Sequence, residues 1–211
     1  QTNKYLVASE VLTDTLAKQG YDTKFLPPMF TEKLGQLRKI GPVLDYCLVG
    51  HMGEGKNVEL VIEAFIELYK RGSKAQITFY GGTEERLAEL QNQYDLPPTI
   101  HFKGIVNEVP YHLHQCYLSA SYTELFANAC VEALNQGLLA LLSDVEIAHR
   151  FYAEQSDAIR LFRNKAQLIQ MIEEMEQADY RQSNAENIAL AAHYSLGTVA
   201  QSYRELLDRN F

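Results

Sequence analysis

Long apolar runs are missing from this sequence: stretches such as Leu138 to Leu142 are far too short to cross a bilayer. Clustered Lys and Arg are missing as well, and the net charge is -8. A basic stripe that could neutralise a phosphate backbone is therefore excluded, and no nucleic acid is expected as a partner. There are only three cysteines, Cys47, Cys116 and Cys130, an odd count with no two close together. Each lies in an apolar pattern, so buried free thiols of a cytosolic protein are expected rather than a disulfide framework. Nothing is low-complexity, and no repeat stands out beyond a strand–helix alternation. No signal-peptide pattern opens the chain, and residue 1 is Gln rather than Met. The expected setting is cytoplasmic, and the sequence is expected to be a piece of something longer.

What is there suits a globular α/β protein. With 211 residues, 46% hydrophobic and 22% charged, the chain can bury one sizeable core, or one core plus a small appendage. From Asp45 onward, short apolar runs alternate with amphipathic stretches. Strands are expected over Asp45–Gly50, Gln76–Tyr80, Thr99–Lys103, Cys116–Ala120 and Leu138–Leu142, with a sixth over Ala158–Leu161. Helices are expected over Asn57–Arg71, Glu84–Tyr94 and Leu125–Asn135, with a short helical stretch around Val109–Gln115. In the first helix Val58, Val61, Ile62, Phe65, Ile66 and Tyr69 share one face. Single helices between continuous apolar strands imply parallel pairing and a doubly wound, Rossmann-like sheet. Three more amphipathic helices, Lys165–Ala178, Ser183–His193 and Leu196–Arg209, form a C-terminal extension, with Leu168, Ile169, Ile172 and Met175 as core. Before all this, Lys4–Ala8 is strand-like, Glu10–Lys18 helical and Thr23–Leu26 extended. Residues 1–40 thus read as the tail of a preceding domain plus a linker.

The most informative segment runs from Glu124 to Ala133. It sets two carboxylates eight positions apart, Glu124 at the mouth of the expected helix and Glu132 two turns inside, just after the strand ending at Ala120. In an open α/β sheet ligands bind beyond the carboxyl ends of the strands, and a helix N-terminus offers free N–H groups to phosphate. A second loop, Gly50-His51-Met52-Gly53-Glu54-Gly55-Lys56-Asn57, joins a strand to a helix. It matches the phosphate-binding P-loop except at Asn57, where Ser or Thr should ligate magnesium. Leu138–Asp144 could serve as the partner strand of a nucleoside triphosphatase, although the missing hydroxyl removes a metal ligand that this chemistry needs. His112, His114 and Cys116 do not share a helix face, so packing is expected of them rather than metal binding. Asp144 and Glu146 are expected to cap the following helix.

A series of ordered signals suggests a second reading. Val49-Gly50 with Lys56, Ile62-Glu63-Ala64-Phe65, Tyr80-Gly81-Gly82, Phe102-Lys103-Gly104-Ile105-Val106, and Ser121 with Glu124, Phe126, Glu132, Ala133 and Gly137 follow one another along the chain. From about Leu44 to Ser143 this resembles the carboxyl-terminal, donor-binding domain of the GT-B fold glycosyltransferases of group 1 (glycosyltransferase family four-like). That large retaining family includes glycogen synthases and many lipopolysaccharide and capsule enzymes. The sequence departs from it twice: His51 stands where the family usually has Arg, and Ala127 where it usually has Gly.

The resemblance implies the donor-binding half of a GT-B enzyme that transfers a sugar from a nucleotide-diphosphate sugar, UDP-type, without metal or cofactor. It divides the chain into 1–40, the tail of the acceptor domain and interdomain linker; 41–193, the nucleotide-sugar domain; and 194–211, a C-terminal helix that packs back on the partner domain. Glu132 would hold both ribose hydroxyls, Glu124 the donor sugar, and Lys56 the departing diphosphate, which makes Glu124 and Lys56 the catalytic pair. Gly50, His51, Phe126, Ala127 and Asn128 would line the phosphates, Leu125 would belong to the same donor site, and Val106 would present its backbone to the base. The partners implied are the nucleotide sugar, the missing N-terminal acceptor domain, and a peripheral membrane or polysaccharide-assembly partner reached through the full-length protein. His51 and Ala127 keep a non-catalytic pseudo-transferase or binding subunit in view, with the triphosphatase as outsider.

Overall fold

The computed structural model describes residues 4–7, 10–26, 42–124, 126–144, 147–154, 156–178 and 184–208. Strand β1 (Lys4–Val7), helix α1 (Glu10–Lys18) and β2 (Asp22–Phe25) form a small unit whose two strands run parallel. Then follow β3 (Asp45–Val49), α2 (Val58–Lys70), β4 (Gln76–Tyr80), α3 (Glu84–Gln93), β5 (Ile100–Gly104), β6 (Cys116–Ser119) and α4 (Asn128–Asn135). The chain continues through β7 (Leu139–Ser143), α5 (Ile147–Ala153), β8 (Ile159–Phe162), α6 (Lys165–Met175), α7 (Asn184–Ala192) and α8 (Leu196–Asp208).

Six strands lie side by side in the order β5-β4-β3-β6-β7-β8, every pairing parallel. The chain works outward from β3 to β5, then returns to start again at β6 beside β3. This is the doubly wound order, and it reverses between β3 and β6. Those two central strands pair only at Tyr46↔Cys116 and Cys47↔Tyr117 among the described residues. Beyond that point their carboxyl ends are not paired to each other, which leaves a crevice at the switch.

Alternation along the strands splits the core into two layers. Tyr46, Leu48, Ile77, Phe79, Cys116, Leu118, Leu139 and Leu141 pack toward α2, α3 and α6. Cys47, Tyr117, Ala140 and Leu142 pack toward α4, α5 and α7. All three thiols are buried and free, as expected, and burial pushes those of Cys47 and Cys130 far up. In α2 the buried stripe is Val58, Val61, Ile62, Phe65 and Leu68; Tyr69, expected on that face, is 48% exposed. Leu68 closes the stripe, so a residue one position further turns outward. The small N-terminal unit touches the main core through Phe25, whose ring centroid lies 6.4 Å from that of Phe126. Among the described residues no helix is long and apolar enough to cross a membrane.

One close approach fixes the crevice's far wall. Gly81, at φ 105°, follows β4 so closely behind Gly50 that an added Cβ would lie 2.1 Å from the Gly50 carbonyl oxygen. Gly72 has a similar φ of 86° but nothing within 4 Å of such a Cβ. Gly81→Ala is expected to lose about 3 kcal/mol or more of unfolding free energy in a urea titration, through clash plus strain. Gly72→Ala, which suffers strain alone, should lose only about 1–2 kcal/mol.

Candidate functional site

The loop that leaves β3 sits at the crevice. Met52 is buried, its carbonyl accepts from Arg86 Nε at 2.8 Å, and Arg86 is in turn ion-paired to Glu59. These contacts pin the loop to α2 and α3. His51 is exposed, and its Nδ1 accepts the Gly53 N–H at 3.2 Å, so in this geometry the imidazole lacks a proton at Nδ1. Glu54–Lys56 form one 3-10 turn, and Asn57 adopts the left-handed conformation (φ 50°, ψ 44°) before α2 begins. Lys56 therefore precedes α2. Its stem runs back over Gly50, where an added Cβ would meet Lys56 Cε at 3.0 Å.

From the other side of the switch comes the loop after β6. Glu124 Oε1 is ion-paired to Lys56 Nζ and also accepts from Ser121 Oγ at 2.9 Å. Lys56 and Glu124 side chains are 19% and 14% exposed, so the pair is half-hidden but reachable from the crevice. Because Ser121 donates to Glu124, the Ser119 hydroxyl 3.1 Å away must donate to Ser121. Ser143 Oγ donates to the Ser121 carbonyl at 2.6 Å, and the ring of buried His149 lies 2.9 Å from the Ser143 carbonyl through Nδ1. The Tyr122 N–H donates to Gly55 O at 2.9 Å and ties the two loops together.

Helix α4 begins three residues later than the sequence suggested. Its N-cap is Ala127, at φ 60° and ψ 55°, so the segment expected to be helical from Leu125 first makes a left-handed turn. Leu125 itself lies outside the described residues. The Ala127 carbonyl accepts from the N–H groups of Cys130 and Val131, and the first-turn amides of Asn128 and Ala129 have no intrahelical acceptor. Glu132 is the fifth residue of α4, just over one turn in rather than two. Phe126 is buried in an aromatic cluster, its ring edge-to-face with Tyr152 (6.3 Å, 84°) and Tyr194 (5.1 Å, 83°). Tyr152 donates its hydroxyl hydrogen to the Phe126 carbonyl.

Tyr111, which the sequence reading left out, holds the second carboxylate. Its hydroxyl lies 3.1 Å from Glu132 Oε2 and 3.3 Å from the Ala129 carbonyl. Burial, and then the Glu132 charge, push the Tyr111 phenol far up, so it stays a donor throughout the working pH range. Burial of the carboxyl group raises the pKa of Glu132, while the Tyr111 hydrogen bond opposes that rise. Val106 is partly buried against the same cluster as Tyr111. No periodicity or motif marks Tyr111, Tyr152 or Ser119; only the fold brings them to the crevice.

The two oxygens of Asp144 accept from Arg163 Nε at 2.6 Å and Arg150 Nε at 2.7 Å, which lower its pKa; the two residues between it and α5 lie outside the described residues. Both oxygens of a triphosphatase's metal ligand would thus already be engaged. Glu146 lies outside the described residues. His114 is buried with Nε2 2.8 Å from the Tyr80 hydroxyl, and Cys116 is core, so packing accounts for both; His112 is exposed.

The family model for glycosyl transferases group 1 matches residues 31–189, and the chain belongs to that family. Among solved structures it is similar to a GtfA/B complex (17% identity, TM-score 0.82), covering 98% of this chain and 45% of that one. It is also similar to HepE of Anabaena in complex with UDP and glucose (15% identity, TM-score 0.79), covering 96% of this chain and 62% of that one. Sucrose-phosphate synthase from Thermosynechococcus elongatus is similar too (17% identity, TM-score 0.77), with 99% and 60% covered. At these identities the likeness concerns the fold, and the chain spans between 45% and 62% of the structures named. None of the curated protein sequences matches it.

A carboxylate whose pKa is raised by folding contributes stability below its unfolded pKa and loses it as pH rises through the folded one. Glu132→Gln removes that ionisable group. The variant is therefore expected to melt higher than the parent at pH 7, with the gap closing below about pH 4, where glutamate is protonated in either state. Thermal melts across pH check this; a variant less stable than the parent at pH 7 contradicts it.

Proposed function

We propose that this chain is the donor-binding half of a retaining glycosyltransferase that uses a nucleotide-diphosphate sugar, UDP-type, without a metal ion. One observation carries the reading: at the switch point of the sheet, Lys56 from the β3 side meets Glu124 from the β6 side, at the mouth of α4. A diphosphate entering there meets an ammonium group and the free amides of a helix end, which suit an anion without a cation's help. Lys56 then takes up the charge that grows as the diphosphate leaves, and Glu124, steadied by Ser121, orients the sugar hydroxyls. Glu132, with one oxygen steadied by Tyr111, holds the ribose diol, and Val106 offers its backbone to the base. Gly50, His51, Phe126, Ala127 and Asn128 complete the phosphate side, with Leu125 between Glu124 and Phe126 in sequence.

The acceptor, a cell-surface polysaccharide, glycoconjugate or glycoprotein, binds in this reading to a second domain outside this chain, so the piece alone binds nucleotide and transfers little. Retention of anomeric configuration follows from the family resemblance, and a cytoplasmic setting suits the three free, buried thiols. A second reading, a pseudo-transferase subunit, draws on two residues. The Ala127 methyl sits where the left-handed backbone favours glycine, and His51 has one nitrogen engaged by Gly53.

Calorimetry tests the donor site. UDP binding should be the same with magnesium or with chelator, and weaker by about 10- to 100-fold in Glu132→Ala and in Lys56→Ala, as for lost charge-assisted hydrogen bonds. Binding that strictly requires magnesium and a triphosphate would overturn the reading. In the full-length parent, UDP-sugar hydrolysis that falls in Glu124→Ala supports an enzyme. Unhydrolysed but bound donor supports the subunit.

A further inference from the structure

The left-handed Ala127 sits beside a tyrosine that the donor-site reading does not use. For an L-residue other than glycine or asparagine, this conformation is disfavoured by a factor of roughly ten. A simple motion would relieve it: turning the Phe126–Ala127 peptide over by half a revolution returns φ of Ala127 to the ordinary negative range. The same turn swings the Phe126 carbonyl away from where it now points, so carbonyl direction and Ala127 strain share one degree of freedom. The group that opposes the turn is the Tyr152 hydroxyl, which donates to the Phe126 carbonyl. A buried hydroxyl–carbonyl bond contributes a factor of about five to ten, comparable with the strain it must offset.

The geometry of Tyr152 suits this work. It comes from α5, is 2% exposed, and its ring is wedged edge-to-face against Phe126 and against Tyr194 (6.2 Å, 89°). The ring has no room to swing, so its hydroxyl is a fixed point. In a trans peptide the N–H points opposite to the C=O. With the Phe126 carbonyl drawn toward this aromatic cluster, the Ala127 N–H is turned the other way, out of the cluster at the entrance to α4. The reversed peptide would instead present a carbonyl oxygen there, which repels an anion.

We propose that Tyr152 is a positioning residue: its hydroxyl locks the Phe126–Ala127 peptide so that the Ala127 N–H faces the phosphates, and thereby lets alanine stand at a glycine position. The idea rests on the donor site proposed above, and names the device that keeps that site competent despite Ala127.

A double-mutant cycle on the whole chain tests it, with Tyr152→Phe, Ala127→Gly and the pair, reading UDP and uridine affinity by calorimetry and melting temperature. Tyr152→Phe keeps the ring and should weaken UDP about tenfold while changing uridine less than about twofold. In the Ala127→Gly background, where the left-handed turn is free of strain, the same substitution should cost UDP about threefold or less. Equal losses in both backgrounds, or a uridine loss matching that of UDP, overturn the proposal. If the parent does not bind UDP, the donor-site reading has failed, and the melts then judge the lock alone. Tyr152→Phe must lower the melting temperature less in the Ala127→Gly background than in the parent, and equal drops sink it.

Discussion

The ion pair between Lys56 and Glu124 spans the one place where the strand order of the sheet reverses. Among the described residues β3 and β6 are joined by only two register pairs, and past them the sheet's centre would splay open. The pair, together with the Tyr122–Gly55 backbone bond, bridges that gap from loop to loop. Its worth lies more in placement than in net stability. A half-hidden ion pair gives back in attraction roughly what it loses in desolvation, yet losing one partner strands the other. Behind Glu124 the order extends inward through Ser121, which bonds both Ser119 and Ser143, and from Ser143 to His149, all of them buried polar groups. The loops of the crevice are held as one piece because that chain ends in the core.

Much of the fold was legible because its signals are local. A buried parallel strand reads as a continuous apolar run, and every strand from β3 to β8 was located to within about one residue. Amphipathic period placed the helices α2 and α3 similarly well, while α6 ends at Met175, three residues before its expected end. The miss at α4 has a physical cause: sequence announces a left-handed residue chiefly by glycine, and Ala127 gives no such sign. Tyr69 was misjudged because period alone does not say where a buried stripe ends. The partners of Asp144 could not be read ahead, because Arg150 and Arg163 approach from a helix and a strand end that only the folded sheet brings together.

The candidate site divides along the same line. Glu124, Lys56 and Glu132 could be picked out because motif spacing and resemblance name them. The tyrosines could not. Tyr111 reaches Glu132 across 21 residues and Tyr152 reaches Phe126 across 26, and one of those contacts ends on a carbonyl that every residue possesses. A phenol bonded to main chain leaves no trace in composition or period. Such residues emerge only when each polar atom around a site is assigned a partner.

The site also keeps three arrangements that a fold selected for stability alone would discard. Glu132 is a carboxylate whose ionisation is opposed by its surroundings, Ala127 holds a left-handed turn, and Lys56 and Glu124 occupy a crevice with each other's charge. Each has its cost offset by an immediate neighbour: a phenol for the first, a phenol for the second, a hydroxyl for the third. Local rules are broken and then compensated within a few ångströms, all along the carboxyl edge of the central strands. Strain spread by chance through a protein would show no such clustering, whereas strain retained for binding must sit where the ligand does. That concentration, more than any single side chain, supports placing the proposed donor site at the β3–β6 crevice.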